Sequence, residues 1–261
     1  MLKHLVTQHD DLIYDVGMHR GEDTEFYLRK GFRVIAFEAD PDLIGYCKGK
    51  FSAEIKDNKL VIVEGAILDN PKLDKVLFYK CVDVSVWGTI DINWAKRNER
   101  RGKTIETIEV DTVDFSECVH KYGIPYYMKI DIEGADIICL KQLLYFNPKP
   151  HYVSIESNKI SMKGIHEEIS LLAKLGYSEF KAIQQDHISK TTVPYPPKEG
   201  VFVSHQFPPG PSGLFGKELP GKWKSKKDIL KEHKFILLNY RLFGDDGLAR
   251  KIIILKLIKI K

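Results

Sequence analysis

Two stretches of this chain carry residues whose types and spacing can do chemistry. The first is Asp15-Val16-Gly17-Met18-His19-Arg20-Gly21, which follows the apolar run Leu12-Ile13-Tyr14 and leads into Glu22-Asp23-Thr24. Glycines let a backbone approach a ligand closely, and a helix that starts after them offers unpaired N–H groups at its positive end. The second is Lys129-Ile130-Asp131-Ile132-Glu133-Gly134-Ala135-Asp136. In a strand, side chains alternate between faces, so Lys129, Asp131 and Glu133 are expected together on one side. Three ionisable groups on one face suit proton transfer or the binding of a polar ligand, and ligands of open α/β sheets sit at the carboxyl edge where this strand ends.

The first stretch restricts the ligand. A dinucleotide fingerprint needs G-x-G-x-x-G, whereas only Gly17 and Gly21 are present here, with the acidic Asp15 before them. A carboxylate at that place repels a pyrophosphate and suits an ammonium group. The buried-strand run Arg33-Val34-Ile35-Ala36-Phe37 ends in Glu38, where such folds hold ribose hydroxyls, roughly 20 residues after the glycines. An adenosine with an amino-acid end and no phosphate matches both features, and S-adenosylmethionine, leaving as S-adenosylhomocysteine, has that structure. The expected cofactor contacts are Asp15, Gly17, His19, Gly21, Thr24 and Glu38, with Ala66 after the third strand as an adenine wall, and Asp131 and Glu133.

The elements that must position these groups read as alternating strands and helices. Helices are expected over Glu25–Lys30 and Asp42–Phe51, and strands over Arg33–Phe37 and Leu60–Val63. Short links between them imply a parallel sheet with right-handed crossovers. Further on, Val76–Lys80 and His151–Ile155 read as strands, Thr107–Asp114 as an edge strand, and Ala135–Phe146 and Gly164–Leu175 as helices. Phe180–Ile183 and Gly200–Ser204 are expected to close the sheet as a hairpin with an antiparallel member. Arg97–Lys103, with both signs of charge mixed, reads as a solvated loop, and Lys222–Lys234 as a solvated helix.

Composition limits the setting. The chain has 261 residues, 43% hydrophobic and 29% charged, with a net charge of +4, which is ordinary for a globular protein and far from a dedicated nucleic-acid binder. Its four cysteines, Cys47, Cys81, Cys118 and Cys139, have no C-x-x-C spacing, so neither a zinc knuckle nor a disulfide framework is indicated. A cytoplasmic location is expected: the first strand begins too early for a cleavable signal, and no apolar run is long enough to span a bilayer. The end, Arg250–Lys261, is apolar and basic and is expected to pack as a closing element, with contact to an anionic membrane as the alternative.

Asp15-Val16-Gly17 with Gly21, Phe37-Glu38-Ala39-Asp40-Pro41, Lys129–Asp136 and Tyr152-Val153-Ser154-Ile155-Glu156 together resemble the FkbM family of S-adenosylmethionine-dependent methyltransferases. The resemblance covers about Asp11 to Gln206, and Pro209–Trp223 also looks like the tail of many members. It implies a Rossmann-like class I methyltransferase fold: α/β, a seven-stranded, mostly parallel sheet with helices on both faces and the last strand antiparallel. It also implies O-methylation of hydroxyls, often on sugars of polysaccharides or glycolipids. Where the family usually has Ala-Asn between its glycines this chain has Met18-His19, so His19 is expected to take over the asparagine's contact or to face the substrate. Two domains are expected, a cofactor-binding core over 1–206 and an extension over 207–261 acting as a lid on the acceptor side.

A sulfonium methyl is already activated, so the protein must align the acceptor and remove its proton. Asp131 is the expected base, with Lys129 beside it and His166 as a rival. Glu156, Trp87, His205 and Phe215 are the expected acceptor contacts. No metal is expected, since no third ligand accompanies Asp131 and Glu156. Two other readings stay open: an RNA ribose 2′-O methyltransferase, and a module that binds S-adenosylmethionine without catalysis. No DNA partner is expected.

Overall fold

The structure is a computed structural model and describes residues 3–69, 73–156, 161–183 and 185–243. In chain order its first elements are β1 (His4–Leu5), β2 (Gln8–Val16), α1 (Glu22–Arg29), β3 (Arg33–Glu38), α2 (Pro41–Lys50) and α3 (Ser52–Lys56). Then come β4 (Leu60–Glu64), β5 (Ala66–Ile67), β6 (Lys75–Cys81), α4 (Ile92–Arg100), β7 (Ile105–Val113) and α5 (Phe115–Tyr122). The last are β8 (Ile124–Ile130), α6 (Asp136–Leu143), β9 (Phe146–Asn147), β10 (Tyr152–Ile155), α7 (Met162–Leu175) and α8 (Lys226–Phe243).

The central sheet has five strands, all parallel, in the order β10-β8-β2-β3-β4. Its middle strands are apolar on both faces because both are covered, as parallel sheets require. Ile13 of β2 packs into a cluster with Phe26 and Tyr27 of α1. Tyr14 and Phe37 turn the other way, onto Phe115 of α5. The Tyr14 hydroxyl donates to the Gly123 carbonyl at 2.7 Å, so the buried phenol is satisfied.

The α/β class and the parallel core agree with the expectation, and the strand inventory differs from it. A second sheet of three strands, β5-β7-β6, holds the antiparallel pair, β6 with β7. The segment expected as an edge strand is therefore the middle strand, β7. The expected terminal hairpin does not form. Phe180 makes an isolated bridge to Lys224, and Gly200–Ser204 is irregular. Gly200 has φ of +53° and packs against the Lys30 carbonyl, to which Val201 N–H donates at 3.0 Å, so this backbone pairs with the end of a helix and not with a strand. The mixed charges of 97–103 are not a loop at their start: they form the last turn of α4, where Arg97 lies over the Trp94 ring at 4.5 Å.

The chain divides into two compact units, Met1–Glu156 with Gln184–Pro220, and Ser157–Ile183 with Gly221–Lys261. In the first, residues 207–220, the start of the segment expected to act as a lid, are part of the core. Phe207, Leu214 and Phe215 are buried in the α1 cluster, and the Asp23 carboxylate accepts N–H bonds from Ser212 at 2.8 Å and Gly213 at 3.3 Å. The reason is the aromatic face of α1, which needs cover that the sheet alone does not give. In the second unit, the Ser161 side chain caps α7 and Gly176, at φ of +112°, ends it. Its partner α8 is not a fully solvated helix, since Ile229 and Leu237 are buried. Among the described residues no helix is long and apolar enough to cross a membrane, and the basic apolar stretch 250–261 lies outside them.

Candidate active site

The glycine turn sits where β2 ends, beside the end of β8. Gly17 has φ of +89°, and a Cβ built on it would fall 1.9 Å from the Asp131 carbonyl oxygen, so only glycine fits between the two strand ends. The turn is tied to β3 by the N–H groups of Gly17 and Met18, which both donate to the Phe37 carbonyl, at 3.1 and 2.9 Å. Gly21, at φ of +74°, starts α1.

Asp15 and Lys129 lie opposite each other in the β2–β8 register. Asp15 is fully buried, and its carboxylate accepts from Lys129 Nζ at 3.0 Å and from the Thr24 hydroxyl at 2.6 Å. Lys129 also donates to the Gly17 carbonyl at 2.6 Å and stands 3.9 Å from Asp23. Burial works against the Lys129 charge, but Asp15, Asp23 and Asp131 together outweigh it and hold its pKa above the ordinary lysine value. Asp23 is pushed upward by burial and by Asp15, with Lys129 and the N–H groups of Ser212 and Gly213 opposing. Asp15 and Thr24, expected as cofactor contacts, bond to each other inside the protein, and Lys129, expected beside the base, is the buried pin of the turn.

Glu38 ends β3 and clasps the turn. Its Oε2 accepts the His19 N–H at 2.8 Å, and its Oε1 accepts those of Ala39 and Asp40 at 2.9 and 3.0 Å. Burial raises its pKa while these three N–H groups oppose the rise. Oε2 keeps one lone pair for a ligand hydroxyl. Beside it Gly65 N–H donates to the Glu38 carbonyl at 2.8 Å, which places the buried Ala66 next in line.

His19 has φ of +52°, and its ring bridges Glu22, at 3.2 Å from Nδ1, to the Ser85 hydroxyl, at 2.8 Å from Nε2. The half-buried Trp87 shares the 3-10 turn Ser85–Trp87. Two residues further on, the Thr89 hydroxyl donates to the Glu133 carbonyl at 2.8 Å. The segment 85–89 thus joins the glycine turn to the turn after β8.

The strand β8 stops at Ile130, so Asp131 and Glu133 are not on a strand face with Lys129. Asp131 N–H donates to the Val16 carbonyl at 2.9 Å, and Glu156 N–H to that of Ile130 at 3.3 Å, which sets both acids at the carboxyl ends of neighbouring strands. Glu133 takes φ of +39° ahead of Gly134, at +92° against the Trp94 ring. A further acid, not assigned a role from the sequence, joins them. Asp136 opens α6, is 8% exposed, and has a buried Oδ1 without a hydrogen-bond partner. Burial, then the charges of Asp131 and Glu156, push its pKa up to about 7. Its place in Gly134-Ala135-Asp136 was the available signal. Among the described residues no group of three or more His, Cys, Asp or Glu side chains is arranged to hold a metal.

Two expected residues lie elsewhere in the first unit. His205 Nδ1 is 3.0 Å from the guanidinium of Arg29, at the end of α1 that runs back toward the amino edge of the sheet, and it packs on Phe26 and Phe207. Burial and then Arg29 lower its pKa. Phe215 is 1% exposed and stacked on Tyr127, with centroids 4.8 Å apart and planes 6° apart, so it is core and not an acceptor wall. His166 is exposed on α7, in the second unit. A surface cavity of about 550 Å³ lined by Asp10, Tyr126, Tyr152 and Glu199 lies at the amino edge and contains none of the residues of the glycine turn.

A parallel α/β sheet with a left-handed glycine turn after its middle strand, an acid ending the next strand and acids at the carboxyl edge defines a Rossmann-like ligand-binding domain. The chain belongs to the FkbM methyltransferase family: the model described as "Methyltransferase FkbM domain" matches residues 15–179. No curated protein and no solved structure matches the chain.

Proposed function

We propose that this methyltransferase takes S-adenosylmethionine at the Gly17–Gly21 turn and methylates an oxygen, a sugar hydroxyl of a glycan or glycan precursor. The observation that carries the reading is the packing of Gly17 directly against Asp131, with Glu38 closing the turn from the neighbouring strand. This chain's residues fit the cofactor: backbone at Gly17 can be approached closely, Glu38 Oε2 has a free lone pair for a ribose hydroxyl, and Ala66 supplies an apolar wall. S-adenosylmethionine supplies an activated methyl group. Asp131 then takes the acceptor's proton, Glu156 and Trp87 orient the acceptor, and His19 holds the segment 85–89 against the turn. The acids Asp131 and Glu156 at the carboxyl edge oppose a phosphate backbone, which favours a neutral acceptor over RNA.

The test is calorimetric titration of S-adenosylmethionine and S-adenosylhomocysteine into the wild type and into Glu38→Gln, whose single amide oxygen keeps an acceptor for the Ala39 and Asp40 N–H groups and whose NH2 replaces the acceptor Oε2. Binding to the wild type that weakens at least tenfold in the variant supports the cofactor site. A screen for S-adenosylhomocysteine release with neutral oligosaccharides and with RNA follows. Absence of binding to the wild type refutes the cofactor, and turnover on RNA alone refutes the sugar.

A further inference from the structure

The mechanism above leaves Asp136 unused, although it is the most unusual carboxyl of the site. It is nine-tenths buried at the start of α6, and its Oδ1 has no partner. Two acids act on it by their charge, Asp131 in the turn after β8 and Glu156 at the end of β10, against the N–H groups of Asp136 and Ile132, and Cys139 lies one turn along its own helix. Lys129 acts on Asp131 but is already held by Asp15 and Asp23. Three like charges at one low-dielectric edge are costly, and a proton held among them removes that cost. A buried unsatisfied polar atom in a site also calls for an explanation in function.

We propose that Asp136 is the proton store of this site: it holds a proton while the carboxyl edge is empty, releases it when the cationic cofactor arrives, and so leaves the cluster ready to receive the acceptor's proton. This rests on the reading that the edge takes S-adenosylmethionine. The balance is complete. The acceptor O–H bond breaks as its O–C bond forms, the S–C bond breaks with its electron pair left on sulfur, and the proton passes through Asp131 to the cluster. Loss of the positive sulfonium restores the proton affinity of Asp136 at that moment, so the cluster is emptied and refilled once per turnover. Asp136 is thus a positioning residue that acts through Asp131. Its pKa, near neutrality by burial and by its two neighbours, gives the store its working range.

The experiment is calorimetry of S-adenosylmethionine binding to the full chain at pH 7, in phosphate and in Tris, whose ionisation enthalpies differ. The wild type is expected to release up to about half a proton per site, the share held by a group titrating near the working pH. S-adenosylhomocysteine, with a neutral sulfur, should release clearly less, and Asp136→Asn should bind both ligands with no buffer dependence beyond that of the ligands themselves. Equal release in the wild type and the variant, or equal release with both ligands, overturns the proposal. Because the variant could fold poorly, the wild type is also tested alone. Proton release on binding means that affinity rises with pH, so the preference for S-adenosylmethionine over S-adenosylhomocysteine should grow at least threefold from pH 6 to 8. A flat preference overturns the proposal while leaving the cofactor in place, whereas no binding of either ligand refutes the cofactor and the proposal together.

Discussion

Replacing Lys129 by methionine tests whether this residue is the pin of the glycine turn. The residue is 5% exposed, and its ammonium lies 3.0 Å from Asp15 and 2.6 Å from the Gly17 carbonyl. Methionine keeps the apolar stem and removes the charge, leaving Asp15 fully buried with the Thr24 hydroxyl as a donor. Breaking a buried ion pair by removing one partner costs about 3–5 kcal/mol, because an uncompensated charge stays behind. The lost donor to Gly17 adds about 1 kcal/mol. Against a total stability of about 5–15 kcal/mol, the variant should fold but be marginal. The assay is urea unfolding followed by circular dichroism, at pH 7 and pH 5. Asp23 is raised by burial with Lys129 opposing, so without the ammonium it rises further, and stability is present at low pH and lost as pH rises through its folded value. The deficit of Lys129→Met should therefore be smaller at pH 5. Adding Asp15→Asn removes the stranded charge and should recover most of the loss. A deficit below about 1 kcal/mol, or one that is equal at both pH values, refutes the pin.

Gly17→Ala puts a methyl 1.9 Å from the Asp131 carbonyl at φ of +89°, so thermal melting should show a loss of at least about 1–3 kcal/mol, and calorimetry a loss of cofactor binding. Phe215→Ala removes the ring stacked on Tyr127 and should cost about 3–5 kcal/mol by urea unfolding, with the cofactor Kd unchanged below the melting range, the opposite of what a lid residue would give. Asp136→Asn should stabilise the protein above neutrality: a folded pKa raised from 3.8 to about 7 takes away stability as pH rises through that window. At about 1.4 kcal/mol per unit the gain is at most about 4 kcal/mol. Melting temperatures at pH 8.5 and pH 5 should show the larger gain at pH 8.5, and an equal gain at both would contradict the raised pKa.

How much of this site could be read from the chain follows from how local each part is. The Gly17–Gly21 turn and Glu38 were legible because a strand end, two glycines and the acid ending the next strand are all set within one β-α-β unit. The pairing of Asp15 with Lys129 was not, because it depends on the register that places two residues 114 positions apart opposite each other. Alternation along a strand correctly put Lys129 on the side of chemistry-bearing groups, but it assumed that the strand continued. It ends at Ile130, where Asp131 turns to bond its N–H to Val16. That early end, three residues short of Glu133, separates a buried cation that builds the turn from a carboxylate that is left at the edge. The misplacement of His205 and Phe215 has a different origin. Their stretch returns to cover the aromatic face of α1, held there by Asp23, and the need for such cover is a property of the packed sheet rather than of either segment alone. The burial of Asp136 is of the same kind: its type was visible beside Gly134, but its unsatisfied oxygen and its two acidic neighbours arise only when β8 and β10 end side by side. A proton shared at that edge is therefore a product of the topology, which is why its test must titrate the assembled site.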